Sequence, residues 1–389
     1  MNERVYFDWN ATAPLRPQAR AALVAAFELT GNPSSIHAEG RAVRQAIETA
    51  RAQVGALVGV EARRVTFTSG ATEANMLALT PALALGGRAA PRDWLFYSAT
   101  EHPSVRTGGR FPAEAVEVLP VDGNGLLDLE ALKGALARAE RPLVSVMLAN
   151  NETGVIQPIA EIAAIVHAAG GLLHVDAVQG AGRIEFAMDM LGADLMTLAS
   201  HKLGGPQGIG ALICRADLHI EDPLIRGGGQ ERGLRAGTEN AAAIIGFGAT
   251  CAAARAGREV DAPRMRALRD RLEGGLKRIA PDTVVFGAGA ARLPNTALFA
   301  APGVRSDTAV ISFDLNGIAL SAGSACSSGK VQASPVLAAM GVDPELGRCA
   351  LRASLGWTTT ENDVEKLLTA WRKVVSSLRK KQTNDGIAA

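Results

Sequence analysis

Short apolar runs alternate with helical periodicity between about Val65 and Cys214. The runs have the apolar, β-branched composition of buried strands. They are Val65–Thr68, Trp94–Ser98, Leu143–Leu148, Leu172–Asp176, Leu195–Ala199 and Ile209–Cys214. Between two of these runs, apolar residues recur at helical spacing at positions 159, 162, 166 and 169. This alternation predicts an α/β fold whose sheet is mostly parallel, with crossover helices.

A second unit is expected after an alanine-rich helix that starts near Asn240. The charged stretch 257–264 contains Pro263, and we interpret it as the boundary at which the second unit begins, with one helix ending before it and another starting after it. Beyond it, the pattern predicts a helix from Met265, strands near 283–286 and 296–300, and a last helix over about 363–378. Thr360 and Asp363 give the N-cap signal of that last helix. The second unit is therefore predicted to be α+β.

Composition narrows the functional classes. The chain has 389 residues, 48% of them hydrophobic and 20% charged, with a formal net charge of +1. Because the chain has no run of five or more like charges, neither nucleic acid nor an anionic membrane surface is an expected partner. The first residues lack the apolar core of a signal peptide, and the longest low-polarity segment, 241–254, is too short to span a bilayer. The four cysteines are far apart, so we expect a cytoplasmic protein without a zinc site or disulfide framework.

One predicted strand-to-helix turn is suited to an anion. Thr68-Ser69-Gly70-Ala71-Thr72-Glu73 follows a strand and opens a helix, where unpaired backbone N–H groups and the Thr72 hydroxyl suit a phosphate dianion. The same turn is equally consistent with a helix start that binds nothing. Nucleotide motifs are absent: there is no Gly-x-Gly-x-x-Gly, and the segment from Gly323 to Lys330 departs from a P-loop.

Asp176 and Lys202 indicate pyridoxal 5′-phosphate (PLP) chemistry. Asp176 ends a predicted buried strand, where open α/β sheets assemble ligand sites, and an ionised carboxylate there needs a cationic partner such as a pyridinium nitrogen. Lys202 follows the next predicted strand and could form a Schiff base with an aldehyde cofactor. Taken singly, Asp176 could cap a turn and Lys202 could be a solvated surface lysine.

Cys326 is the candidate nucleophile. Cys214 and Cys251 lie in apolar runs, which is typical of buried structural thiols. Cys326 instead lies in the serine- and glycine-rich segment 321–329, which predicts a polar, exposed loop with a reactive thiol. The alternative is an incidental exposed cysteine.

These residues belong to segments through which nearly the whole chain resembles the cysteine desulfurases, in the nitrogen-fixation and iron–sulfur-cluster group of fold-type I PLP enzymes. The matching segments are 6–12, 68–75, 101–104, 150–154, 174–179, 200–205, 235–240 and 323–329. The resemblance implies a large PLP-binding α/β domain over 15–258 with a mostly parallel seven-stranded sheet. It implies a small α+β domain over 1–14 and 259–389 that carries the cysteine loop.

The resemblance also implies a role for each matching residue. Lys202 would attach the cofactor, Asp176 would contact its ring nitrogen, Gln179 its ring hydroxyl oxygen, and His102 would stack on its ring and move protons. The cofactor phosphate would be held by Ala71, Thr72, Ser200 and His201. Thr238 would reach the phosphate of the cofactor in a partner subunit. Arg352 would bind the substrate carboxylate with help from Asn151, which also contacts the cofactor.

The implied reaction is removal of sulfur from L-cysteine, giving L-alanine and a persulfide on Cys326. A homodimer and a sulfur-accepting or iron–sulfur scaffold protein are the implied partners. No resident metal is expected, although Cys326 could transiently bind an iron–sulfur cluster. The alternatives are another fold-type I PLP enzyme, such as a selenocysteine lyase or an aminotransferase, and a catalytically inactive sulfur carrier. Three departures from the family pattern leave the acceptor and pathway open: Ala13 in place of threonine, segment 329–332 in place of a more acidic sequence, and the short tail 382–389.

Overall fold

A large central sheet and a separate smaller sheet organise the molecule. The computed structural model describes residues 4–323 and 334–385. Its strands are β1 (Val5–Tyr6), β2 (Val65–Thr68), β3 (Leu83–Leu85), β4 (Arg88–Ala89), β5 (Leu95–Ser98), β6 (Val116–Leu119), β7 (Leu143–Met147), β8 (Leu172–Asp176), β9 (Leu195–Ala199), β10 (Gly210–Cys214), β11 (Leu218–Ile220), β12 (Val284–Val285), β13 (Thr296–Ala300), β14 (Ile318–Ala319), β15 (Ser321–Ala322) and β16 (Leu351–Ser354).

Helices cover both sheets. They are α1 (Pro17–Phe27), α2 (Ala38–Leu57), α3 (Ala71–Ala78), α4 (Pro103–Arg106), α5 (Leu129–Leu136), α6 (Ile159–Ala168), α7 (Met188–Leu191), α8 (Ala241–Ile279), α9 (Ser306–Leu315), α10 (Pro335–Ala339), α11 (Pro344–Gly347) and α12 (Glu361–Asp385). Short 3₁₀ turns occur at Ala62–Arg64, Ala113–Ala115, Ser200–Lys202 and Gln230–Gly233. Among the helices described, none combines the length and apolar composition needed to cross a membrane.

The large sheet has seven strands in the order β2-β10-β9-β8-β7-β5-β6. Strand β10 is antiparallel to both of its neighbours, and the other neighbouring pairs are parallel. The mostly parallel seven-stranded sheet is therefore confirmed. Because the parallel strands all point the same way, the loops that follow β2, β5, β7, β8 and β9 meet at one edge.

The two faces of this sheet pack against different helices. Alternate strand residues such as Val144 and Val175 pack against α2, α5, α6 and α8. Leu143 and Leu172, the first residues of the same two strands, lie on the opposite face of the sheet, towards α3 and α4. Burying both faces explains why these strands read as continuous apolar runs in the sequence.

The smaller sheet has the order β12-β13-β16-β15 and is antiparallel throughout. Its core combines the C-terminal half of α8 with α9, α12 and the N-terminal residues Val5 and Phe7. Trp371 of α12 is fully buried there and contacts Phe299 edge-on. The expected Thr360–Asp363 cap of α12 is present, because each backbone N–H donates to the other side chain. The domain limits, 15–258 and the remainder, stay a prediction.

The expected break at Pro263 is wrong. Helix α8 continues through Pro263 as one helix from residue 241 to residue 279. Proline removes a helical hydrogen bond, but α8 packs against α1 and α2 on one side of this position and against α12 on the other. Arg264 also donates to the carbonyl oxygens of Trp357 and Thr359, each at 2.5 Å. Tertiary contacts on both sides therefore stabilise the helix across the proline.

Candidate functional site

A cavity of about 580 Å³ opens at the edge where the parallel strands end. The loops after β2, β5, β7, β8 and β9 line it, together with residues 10–12 and one residue of β16. Nine of the residues singled out in the sequence line this cavity: Ala71, Thr72, His102, Asn151, Asp176, Gln179, His201, Lys202 and Arg352. The fold therefore brings residues from widely separated motifs into one site.

Two other predicted residues, Ser200 and Thr238, do not line the cavity. Ser200 is buried, and its Oγ lies beside Gly205 without a hydrogen-bond partner among the described residues. Thr238 is exposed and lies outside the lining. Cys326 belongs to segment 324–333, outside the described residues. The predicted roles of these three residues stay predictions.

Lys202 ends the 3₁₀ turn that follows β9. Its Nζ donates to the backbone carbonyl oxygens of Asn10 and Ala11, at 2.7 and 2.8 Å. The N-terminal segment thus reaches across the sheet edge and orients the lysine. The neighbouring His201 is held by Thr12 Oγ1, 3.2 Å from its Nδ1, and burial together with the Lys202 charge lowers the pKa of His201 to about 4.

Asp176 is the last residue of β8, and its side chain is buried. Its Oδ1 accepts from the Val178 N–H at 3.0 Å, and its Oδ2 accepts from Asn75 Nδ2 at 3.0 Å. Gln179 follows one turn later, and its Nε2 donates to the Asn10 carbonyl oxygen at 3.0 Å. Arg183 donates to Gln179 Oε1 and fixes its direction. Two polar side chains are therefore rigidly placed on the cavity wall before any ligand binds.

His102 is the N-cap of α4 as well as a cavity residue. Its Nδ1 accepts from the Ser104 N–H at 3.2 Å and lies 2.8 Å from Ser104 Oγ. Burial lowers the pKa of His102, although the nearby Asp176 charge acts in the opposite direction. A largely neutral imidazole at neutral pH follows, able to accept or donate a proton.

Arg352 is the second residue of strand β16. Its guanidinium is almost fully buried and bonds to the Asn151 carbonyl oxygen at 3.0 Å and to Asp8 Oδ1 at 2.8 Å. The Asp8 ion pair was not predicted, because the two residues are far apart in sequence and the matching segment 6–12 does not indicate which residue pairs with Asp8. The Nε–H is itself buried and has no hydrogen-bond partner among the described residues, while Arg352 forms part of the cavity lining.

Two buried glutamates near the cavity were also missed. Burial raises the pKa of Glu101 well above its usual range, although Glu101 Oε1 accepts from the Met147 N–H at 2.6 Å. Burial likewise raises the pKa of Glu152 to about 7, and Glu152 Oε2 accepts from Ser334 Oγ at 2.5 Å. Each lies next to a predicted site residue, His102 or Asn151, and this position in the sequence could have identified both as candidates. Within residues 4–323 and 334–385, no cluster of His, Cys, Asp and Glu is suited to a metal ion.

Comparison with known proteins identifies the family. The model of the aminotransferase class-V family matches residues 5–367. A cysteine desulfurase from Cereibacter sphaeroides is 41% identical over 97% of this chain and 97% of its own length. The chain is a member of the class-V aminotransferases, in their cysteine desulfurase group. The cysteine desulfurase IscS of Dictyoglomus turgidum shows the same similarity, with 38% identity over 97% of this chain and 96% of the relative.

A solved structure supports the fold of this group. The X-ray structure of a NifS-like protein from Rickettsia africae superimposes with a TM-score of 0.87 at 36% identity, covering 96% of this chain and 100% of that one. The family resemblance read from the sequence motifs is therefore confirmed, as are the α/β fold and the enzyme class.

Proposed function

We propose that this cysteine desulfurase uses PLP in the described cavity to convert L-cysteine to L-alanine, leaving the sulfur as a persulfide on Cys326. The observation that carries the proposal is the convergence of Lys202, Asp176, His102 and Arg352 on one cavity. These side chains supply an amine, a buried carboxylate, a neutral imidazole and a guanidinium. Together they suit an amino-acid substrate and a cationic heteroaromatic cofactor.

The donors and acceptors of the cavity fit PLP. The start of α3 has no side-chain cap and faces the cavity at Ala71 and Thr72, so its backbone N–H groups are available to a phosphate. Asp176 offers the acceptor for a protonated ring nitrogen, and Lys202 offers the amine for covalent attachment. The cavity volume lies within the range of about 300–1,000 Å³ that is typical of small-molecule sites. When bound, PLP supplies an electron sink that weakens bonds at the substrate α-carbon.

The chain's own residues would bind the substrate and move its protons. Arg352 would hold the L-cysteine carboxylate, because a guanidinium offers several N–H donors in a fixed plane and keeps its charge. Lys202, released from the cofactor, would accept the α-proton. His102 would exchange protons near the substrate sulfur, which its lowered pKa permits at neutral pH.

The sulfur-accepting thiol is assigned to Cys326 partly from the state of the other cysteines. Cys214, Cys251 and Cys349 are buried, and burial raises the thiol pKa of each, that of Cys214 to about 12. Such thiols are poor nucleophiles. The Cys326 thiolate would bond to the substrate sulfur while the carbon–sulfur bond breaks. The bonding electrons would stay with the carbon skeleton, which gains a proton to become alanine.

We further propose that the enzyme acts as a cytoplasmic homodimer that passes its sulfur to an acceptor for iron–sulfur cluster or related cofactor assembly. An exposed apolar surface on α1 and the following loop supports a second copy as partner: Phe27 is 74% exposed and Ile36 is 86% exposed. Thr238, exposed on the surface, would then reach the partner's cofactor phosphate. A Phe27→Asp variant should yield monomer in light scattering, and a variant that stays dimeric would contradict this surface assignment.

The reaction is tested by quantifying alanine and sulfide together after L-cysteine and a reductant are added to the purified, PLP-loaded protein. Equal amounts of both are expected, and Cys326→Ser should form neither at an appreciable rate. Pyruvate in place of alanine, or wild-type persulfide formation by Cys326→Ser, would contradict the assignment. A preference for selenocysteine would favour the lyase alternative.

A further inference from the structure

Asn75 connects two groups of the site through one side chain. It lies in the first turns of α3 and is fully buried. Its Nδ2 donates to Asp176 Oδ2 at 3.0 Å and to Ser104 Oγ at 2.9 Å. Ser104 Oγ in turn lies 2.8 Å from His102 Nδ1. A continuous hydrogen-bonded path therefore runs from the Asp176 carboxylate to the His102 ring.

The neighbours of Asn75 dictate the orientation of its amide. The carbonyl oxygen, Oδ1, is buried without a hydrogen-bond partner among the described residues, which costs free energy. Turning the amide over would place that oxygen against Asp176, so that two acceptors would face each other. The amide is thus held with both N–H bonds directed at Asp176 and Ser104.

This orientation determines the direction of the next hydrogen bond. Because Ser104 Oγ accepts from Asn75, its own proton is free to be donated to His102 Nδ1. The Ser104 backbone N–H also donates to Nδ1, at 3.2 Å. Two donors directed at one ring nitrogen keep it unprotonated, so the neutral ring carries its proton on Nε2. Both donors favour neutral imidazole, in the same direction as the burial that lowers the pKa of His102.

We propose that Asn75 is a positioning residue: its amide aligns the Asp176 carboxylate and, through Ser104, fixes His102 in the tautomer protonated at Nε2. The purpose of this arrangement rests on the proposed function, in which Asp176 contacts the cofactor and His102 moves protons. The buried Asn75 amide thus orients both side chains through its hydrogen bonds to Asp176 and Ser104.

Two variants separate the two contacts of Asn75, the branch to Asp176 and the branch through Ser104 to His102. Asn75→Leu keeps similar volume and removes both donors, whereas Ser104→Ala cuts the branch to His102 and leaves the bond between Asn75 and Asp176. The first readout is the His102 pKa and tautomer in the full-length, PLP-loaded protein, from NMR of ¹⁵N-labelled histidine. A His102→Asn sample identifies the signals. The second readout is PLP affinity, from fluorescence titration of the cofactor-free protein.

Ser104→Ala should raise the His102 pKa by about one unit, because the neutral imidazole loses the hydroxyl that donates to Nδ1. Asn75→Leu keeps this hydroxyl but allows it to accept a hydrogen bond, so the Nδ1-protonated tautomer should become populated. Asn75→Leu should also weaken PLP affinity about tenfold, the usual effect of losing a hydrogen bond to a charged group. Ser104→Ala should leave that affinity within about twofold. Asn316→Leu, on the exposed end of α9, is the control that should change neither readout.

An unchanged His102 pKa and tautomer in both variants would overturn the proposal, even if their thermal stability fell. If Asn75→Leu does not fold, an unchanged His102 pKa and tautomer in Ser104→Ala would by itself overturn the proposal. Neither readout requires turnover. A protein that failed to release alanine and sulfide but showed these shifts would contradict the proposed function while supporting the positioning role.

Discussion

The two halves of the cavity are built in different ways. In the cofactor half, Lys202, Asp176, Gln179 and His102 all follow strands of the large sheet. In the substrate half, Arg352 comes from the small sheet and contacts Asp8 and Asn151, which lie 344 and 201 residues away in the chain. The first half is carried by one sheet, with the N-terminal segment accepting hydrogen bonds from Lys202 and Gln179, whereas the second exists only when two sheets and the N-terminal segment lie together.

This difference predicts different responses to change. Substitutions in the cofactor half should alter cofactor binding, because its side chains lie at the ends of strands of the large sheet and line the cavity. Substitutions in the substrate half should alter recognition of L-cysteine and the sensitivity of the protein to pH. Cofactor affinity should stay nearly constant in that second set.

The largest effect is expected for Lys202→Ala. Desulfurase activity should fall by at least about a thousandfold, because the variant loses both the covalent attachment of PLP and the base for the α-proton. Absorbance and activity measurements check this result, with Lys277→Ala, exposed on α8, as the control. If Lys202→Ala retained a tenth of the wild-type turnover, the proposed role of Lys202 in the mechanism would be wrong.

Arg352→Lys tests the substrate half. Its kcat/KM for L-cysteine should fall at least about a hundredfold, mainly through KM, because lysine cannot form the planar, multidentate contact with a carboxylate. PLP affinity should change less than about twofold, since the two halves are positioned separately. Arg271→Lys, which alters a surface ion pair with Glu361 and Glu365, is the matched control. An equal loss of PLP affinity and substrate recognition would contradict the division of the cavity.

Glu152 should make the substrate half sensitive to pH. Burial raises its pKa from 4.5 to about 7, so the folded protein retains a proton that the unfolded chain releases. The stability contributed by Glu152 is therefore complete below about pH 4.5 and is lost as the pH rises through about 7. Relative to Glu152→Gln, the wild type should lose about 3 kcal/mol of unfolding free energy over this interval. Urea denaturation at several pH values measures the difference, and a constant difference would show that Glu152 does not titrate in this way.

A smaller effect is expected for Thr72→Val at the phosphate end of the cofactor half. The substitution keeps the shape of the side chain and removes one hydroxyl, so PLP affinity should weaken about tenfold. KM for L-cysteine should remain close to the wild-type value once the cofactor is saturating. Thr49→Val on the exposed face of α2 provides the control. If the PLP affinity of Thr72→Val equalled that of the wild type, Thr72 would not contact the phosphate.

The cofactor half could be predicted from the sequence because its signals are local. Asp176 ends an apolar run, and β8 ends at that residue in the structure. Strand β6 was missed because Glu117 interrupts a segment of only four residues, of which Leu119 alone is buried. The continuity of α8 was missed because proline's local preference was overruled by packing against distant helices.

The substrate half could be predicted only as a set of residue roles carried over from the family. The pairing of Arg352 with Asp8 and of Glu152 with Ser334 depends on how separate elements pack, and no local pattern specifies such distant pairs. Asn75 lay within a recognised motif, but its contacts with Asp176 and Ser104 become visible only when α3, α4 and β8 are assembled.

The most direct test of the central claim is to locate the cofactor on the chain. The purified protein, loaded with PLP, is reduced with borohydride and digested, and the modified peptide is sequenced by mass spectrometry. A pyridoxyl group on Lys202 is the predicted result, with none on the Lys202→Ala variant. Modification of a different lysine in the active protein, or an active protein that carries no pyridoxyl group, would contradict the account.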